Sequence, residues 1–259
     1  QDGSEPKFPI IKMPDNIILY QDRTKDDDKT GKRFERDKKL LLADHDKDPT
    51  EPRTLFYLAQ TCQCLIGQYE KQAENKNISK QERKQFAEKV QEEISDSYYY
   101  SKLRTELEGF QEEKFHSYMR CGILGEKLNH DWYDVMLWYL RAYEHSDRVE
   151  PLVKISQYYQ RNNNWHMAYM YAHQAGQMNY PDNAILFVDK RAYDYERWHL
   201  LGIIAYYSAT NDYNNGLHIQ ARRKYAEGKF ACQFALQQGE AQQKLAHEQI
   251  KDPKELHTA

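Results

Sequence analysis

The sequence predicts an all-α fold of stacked helical hairpins, and three observations carry that expectation. No proline occurs between Pro52 and Pro151, so nothing in that stretch removes a helical hydrogen bond. Apolar residues there recur at spacings of three and four, the repeat that gathers side chains on one helix face. Short polar clusters, such as Asn162-Asn163-Asn164 and Asn211-Asp212, separate the periodic stretches and supply turn and cap chemistry.

Taken in order, 9–20 holds two β-prone runs, Ile10-Ile11 and Ile17-Ile18-Leu19-Tyr20, on either side of a Pro-Asp-Asn turn signal, and is the only strand material. Residues 22–39 alternate in charge. Their first half reads as an exposed loop, and over 31–43 Phe34, Leu40, Leu41 and the stem of Lys38 form one helical face. Helices are then expected at 54–65, 79–107, 111–128, 132–144, 150–160, 165–177, 195–207, 214–226 and 228–250. The long second one is mostly Lys, Glu and Gln, with Phe86, Val90 and Ile94 forming a single narrow stripe. The last carries Phe230, Phe234, Leu245 and Ile250 and is suited to capping the end of a stack or docking onto a neighbour. The domain reading is an N-terminal segment and charged loop over 1–30, a helical repeat domain over 31–226, and a capping helix and tail over 227–259.

Composition narrows the function. The 259 residues are 40% hydrophobic and 30% charged, with a mean hydropathy of −0.99. No run approaches the ~20 apolar residues of a membrane span, and no basic-then-apolar leader opens the chain. Thirty-seven Lys and Arg against 40 Asp and Glu lack the one-signed excess of a general nucleic-acid binder. Cys62, Cys64, Cys121 and Cys232 are too few and too scattered for a disulfide framework, which points to a reducing, cytoplasmic setting. Tyrosine is the outlier, with 21 copies, and implies an aromatic-rich core.

Internal repetition separates stacked hairpins from an irregular bundle. The stretch 149–178 places Leu152, Ile155, Ser156 and Tyr159 on a first helix and Trp165, Ala168, Ala172 and Ala175 on a second, with the small residues where two helices cross closely. That is the pattern of a tetratricopeptide unit of about 34 residues. Partial copies carry Leu58, Ala59, Gly67 and Tyr69, then Phe115, Tyr118, Trp138 and Ala142, then Trp198, Leu201 and Gly202. With Leu58, Tyr118, Ile155 and Leu201 as equivalents, the separations are 60, 37 and 46 residues. The expected architecture is a degenerate tetratricopeptide-like helical-hairpin solenoid with a short β-prone N-terminal segment; Tyr118, Tyr159, Trp165 and Trp198 fill its packing positions.

Several phrases occur together in order: Gln21-Asp22-Arg23; Lys32-Arg33-Phe34-Glu35-Arg36-Asp37 with Leu40 and Leu41; and Pro52-Arg53-Thr54-Leu55-Phe56-Tyr57-Leu58-Ala59-Gln60-Thr61. Further on come Glu112-Glu113-Lys114-Phe115, Arg148-Val149-Glu150-Pro151-Leu152 and Ile185-Leu186-Phe187-Val188. Together they resemble the tetratricopeptide-like region that follows the catalytic domain in family 2-like glycosyltransferases of bacteria and large DNA viruses, over residues 20–226. The resemblance implies an association with sugar transfer from a nucleotide-sugar donor onto a protein or glycan acceptor, in the cytoplasm or, for a viral chain, in host cytoplasm or virion. The catalytic half of such enzymes is a nucleotide-binding α/β domain, for which this sequence offers only 9–20. The expected role is therefore a non-catalytic module that binds the acceptor, the catalytic domain or a partner protein, without a cofactor, nucleic acid or membrane span. A free-standing protein-interaction adaptor and a transferase subunit with its donor site built by another chain are the alternatives.

Candidate chemistry is sparse. Asp44-His45-Asp46-Lys47-Asp48 and Asp26-Asp27-Asp28 offer the carboxylates of a metal-diphosphate site but follow no βα unit, and read as solvated loops. A calcium loop opening at Asp44 would need glycine and glutamate where Pro49 and Leu55 stand. Cys62-x-Cys64 points its thiols about 200° apart on a helix, which excludes a shared metal. Arg197-Trp198 matches half of a polymerase motif without its glutamine, and Trp198 reads as core.

A binding face remains. In helical-hairpin repeats the first helices line the concave side, and their register exposes Arg53, Phe56 and Gln60, then Glu113, His116 and Arg120, then Glu150, Val153 and Gln157, then Glu196, His199 and Ile203, with Arg161 beside them. Two readings of the recurring Glu113, Glu150 and Glu196 stand at this point. They line a groove suited to a peptide or glycan, or they form salt bridges and helix-end contacts within the stack.

Overall fold

The computed structural model describes residues 29–250, apart from 182, 183, 185 and 186, with side chains described from 32 to 239. The β-prone segment, Asp26-Asp27-Asp28 and the extreme C-terminus lie outside the described residues. Within them every regular element is helical: α1 (Lys29–Lys47), α2 (Pro52–Glu74), α3 (Lys80–Glu106), α4 (Gln111–Lys127), α5 (Trp132–His145), α6 (Val149–Arg161), α7 (Trp165–Gly176), a π-helical turn (Ala192–Glu196) that runs into α8 (Arg197–Asn214), and α9 (His218–Ile250). None of these helices is long and apolar enough to cross a membrane.

The ends of the helices follow the polar punctuation. Ser79 and Glu82 form a reciprocal capping box at α3, the Asp131 side chain accepts from the Tyr133 amide at α5, and Asn164 accepts from the Met167 amide at α7. Asn129 and Asn163 adopt φ of 56° in the turns after α4 and α6, the left-handed conformation asparagine tolerates best among non-glycine residues.

Each helix packs mainly on its neighbours in sequence, most extensively within α2–α3 and α8–α9. The result is four successive hairpins, α2–α3, α4–α5, α6–α7 and α8–α9, preceded by α1. Leu58, Tyr118, Ile155 and Leu201 fall one on the first helix of each hairpin. The apolar interior divides accordingly into three clusters along the stack: one around Leu65, Ile94 and Leu124, one around Phe115, Tyr139 and Ile155, and one around Leu152, Ala172, Tyr193 and Ile204. Tyr159 touches the second and third, joining them.

Two expectations are corrected. Leu40 is 59% exposed, because Phe34, Lys38 and Leu41 lie near one line along α1 whereas Leu40 is rotated well off it. The expected break between 226 and 228 does not occur; α9 runs unbroken through Gly228. Gly228 serves close approach instead. A Cβ there would lie 2.9 Å from the Ala205 Cβ and 3.2 Å from the Gly202 carbonyl oxygen. Across the same interface a Cβ on Gly202 would lie 2.4 Å from the Cys232 sulfur. Likewise Tyr139 of α5 lies directly over Gly122 of α4, where a Cβ would come 2.4 Å from the ring.

Gly228→Ala tests this crossing. Helix propensity favours the substitution by about 1 kcal/mol; overpacking against backbone and a fixed methyl costs about 1–3 kcal/mol. Because the neighbouring atoms have no rotamer into which to retreat, urea denaturation should show a net loss of stability.

Candidate functional site

The first-helix face is built around arginines. Arg104, in the last turn of α3, is fully buried and donates to the carbonyls of Leu107 (3.1 Å) and Phe110 (3.0 Å), holding the turn into α4. Its guanidinium also lies 3.6 Å from Glu113, which is 4.0 Å from the exposed Arg53. Burial pulls the Glu113 carboxyl above its ordinary range, partly opposed by Arg104 and Arg53. Arg148, between α5 and α6, repeats the theme. It is 2% exposed, covers the Phe115 ring at 4.1 Å, and donates to Glu150 at 2.5 and 3.2 Å. Glu150 also accepts from the Tyr193 hydroxyl at 3.2 Å.

Phe56, His116 and Arg120 meet between α2 and α4. The guanidinium of Arg120 lies 5.3 Å from the centre of the Phe56 ring, and its Nη2 donates to His116 Nδ1 at 3.3 Å. Burial pulls the Arg120 pKa down to about 10 and that of His116 down to about 3, with Arg120 and Arg148 adding to the effect on His116. The imidazole is neutral at physiological pH.

The connection from α7 to α8 lies over this face. The Phe187 ring centre is 4.7 Å from His116 and 5.6 Å from Phe56, and the Phe187 carbonyl accepts from Arg148 Nη2 at 2.6 Å. The Asp189 amide donates to Glu150 at 3.3 Å.

The ten sequence-predicted residues divide as follows. Glu113, Arg120 and Glu150 are buried, and the two glutamates form the internal ion pairs of the second sequence reading. His116 joins this cluster and Arg53 stands at its rim, while Gln60 and Gln157 are half-buried. The others have separate partners: Arg161 pairs with Glu126 at 2.8 Å, Glu196 with Arg191 at 3.2 Å, and His199 stacks on Tyr195. Arg197 is a structural residue, donating to the carbonyls of Tyr193, Ala175 and Met178.

Two other groups collect chemistry. Cys62, Glu93 and Asp96 converge between α2 and α3, with their potential ligand atoms within 4.8 Å of one another. The cation there is the chain's own: Lys38 Nζ donates to Glu93 at 2.7 and 2.8 Å and to Asp96 at 2.7 Å, tying α1 to α3. Burial pushes the Cys62 thiol up, so it behaves as a packed, protonated group. At the end of α1, Asp48 accepts from the amide and hydroxyl of Thr50, as a turn residue does.

A cavity of about 750 Å³ lies among α5, α6, α7 and the junction of α8 with α9. Leu140, Tyr143, Leu152, Tyr169, Met170, Tyr171 and Leu217 give it an aromatic and aliphatic wall. Polar groups stand along part of it. Lys224 donates to Asp212 (2.7 Å) and Ser208 (2.8 Å) above the Tyr169 ring, and Glu227 accepts from the Tyr169 hydroxyl and lies 2.5 Å from His173. Such a volume, mostly apolar with a few fixed polar groups, is what ligand pockets between helices require. Sequence reasoning missed it because its walls come from five helices; Tyr169-x-Tyr171 and the nearby histidines were its only signal.

Glu150→Ala should destabilise the chain by about 3–5 kcal/mol, since it strands the buried Arg148; thermal and urea unfolding measure this. The His116 pKa is lower folded than unfolded, so the unfolded chain binds more protons between about 3 and 6.5, and stability is lost as pH falls through that window. His116→Gln should flatten the pH dependence there by up to about 1.4 kcal/mol per pH unit, read from urea midpoints at several pH values. Comparison of the chain with protein-family models, curated proteins and solved structures finds no match.

Proposed function

We propose that the chain is a non-catalytic, tetratricopeptide-like binding module whose ligand enters the cavity bounded by α5–α9. The observation that carries this reading is the cavity itself: an apolar chamber of about 750 Å³ edged by Lys224–Asp212 and His173–Glu227. An apolar side chain or the apolar face of a sugar can pack on Tyr143, Tyr169 and Tyr171, while the polar edge fixes orientation. The link to glycosyltransferases rests on the sequence resemblance, which makes the acceptor protein, an acceptor glycan or the transferase's catalytic domain the ligand. The succession of four hairpins supports the repeat reading, although the connection after α7 is longer than a regular repeat needs.

Met170 is 47% exposed and lines the cavity, so Met170→Glu places a charge in it without disturbing the core. Titrating acceptor peptides, acceptor glycans and a glycosyltransferase catalytic domain onto the chain should identify a ligand that the variant binds at least tenfold more weakly, with the melting temperature kept. Unchanged affinity would remove the cavity from the reading. Titration with nucleotide sugars and Mn²⁺ should produce no binding heat; saturable donor binding would favour the transferase-subunit alternative.

A further inference from the structure

The connection between α7 and α8 treats the first-helix face as a receptor treats a peptide. One ring, Phe187, rests on Phe56 and His116. One carbonyl is held by Arg148 and, two residues on, one amide by Glu150. Two of these contacts are to main chain and take no account of side-chain identity, so a segment of another protein can supply them. The bound segment is also weakly held. Phe187 is 39% exposed and has φ of 57°, a left-handed conformation unfavourable for a bulky residue. A segment of another protein need not carry that strain.

The charges around the site select the partner. Arg53, Arg104 and Arg148 pair with Glu113 or Glu150, and Glu51 and Glu108 also act on Arg53 or Arg104. Arg120 is the one of these four arginines without a salt bridge among the described residues, and it meets neutral His116 instead. Arg120, 2% exposed beneath Phe56, has Nε and Nη1 without a hydrogen-bond partner in the protein. We propose that the face formed by α2, α4 and the start of α6 is a second binding site, separate from the α5–α9 cavity, for an extended acidic peptide segment bearing an aromatic residue. The chain's own Phe187–Asp189 segment occupies it as an internal stand-in, and the partner binds by displacing that segment.

The test uses the full chain and a fluorescent peptide with the sequence of residues 181–190, Pro-Asp-Asn-Ala-Ile-Leu-Phe-Val-Asp-Lys. Phe187→Gly removes the internal ring while leaving a backbone that accepts positive φ freely. Fluorescence anisotropy should show the peptide binding F187G at least tenfold more tightly than the wild type, and a peptide with alanine for its phenylalanine should lose that gain. Equal affinity for the two proteins, or no loss with the alanine peptide, overturns the proposal. Should F187G fail to melt cooperatively, hydrogen exchange in the wild type decides. Exchange of the Asp189 amide far faster than that of core amides supports a displaceable segment, and exchange as slow as the core's refutes it.

Discussion

Burial of guanidinium groups at the joints between hairpins is the constraint on which the rest of the structure depends. Arg104 and Arg197 stand where α3 passes to α4 and α7 to α8 and donate to carbonyls of those connections, while Arg148, between α5 and α6, donates to the Phe187 carbonyl of the α7–α8 connection. Helix ends leave carbonyls without intrahelical partners. A connection packed against stacked hairpins is partly removed from water, so those carbonyls need donors from within the protein. Arginine suits the role because its fork reaches several acceptors while its plane rests on an aromatic face, as Arg148 does on Phe115 and Arg197 on Trp198. Burial lowers the pKa of Arg104 and Arg197, yet the guanidinium starts so high that the charge survives.

With the joints held, small residues determine how near the helices come. Gly122 admits the ring of Tyr139, and Gly202, Ala205 and Gly228 bring α8 and α9 almost into backbone contact. Tight crossings in one place leave room in another. Where Tyr143, Tyr169 and Tyr171 stand, beside α5, α6 and α7, the aromatic cavity opens. The abundance of tyrosine therefore serves two ends: Tyr139 and Tyr193 fill the core with their hydroxyls bonded to Glu126 and Glu150, and Tyr143, Tyr169 and Tyr171 wall the cavity.

Much of the helical order was legible because it is local. The capping pair Ser79 and Glu82, the Phe86, Val90, Ile94 stripe and the asparagine turns each lie within a few residues, and the helices follow them closely from α3 to α7. The glutamate recurrence was legible too, but not what it paired with. Arg104 is nine positions before Glu113, while Arg148 is two before Glu150. No fixed spacing announces such pairs, since a connection rather than a helical turn brings the partners together. The break expected between 226 and 228 failed to occur for a related reason. In one dimension a glycine is a helix breaker, and only the presence of Ala205 across the interface makes it a helix contact.

The sequence by itself determined the secondary structure class, the hairpin succession and the identity of most packing residues, because amphipathic period and cap chemistry act over one or two turns. Tertiary structure alone decided which polar residues are free to meet a ligand. Glu113 and Glu150 are taken up by buried arginines, the face they share with His116 is covered by Phe187, and the open chamber lies elsewhere, among side chains from five helices. Availability depends on desolvation and on partners far apart in the chain, and neither is written in the spacing of residues along one helix.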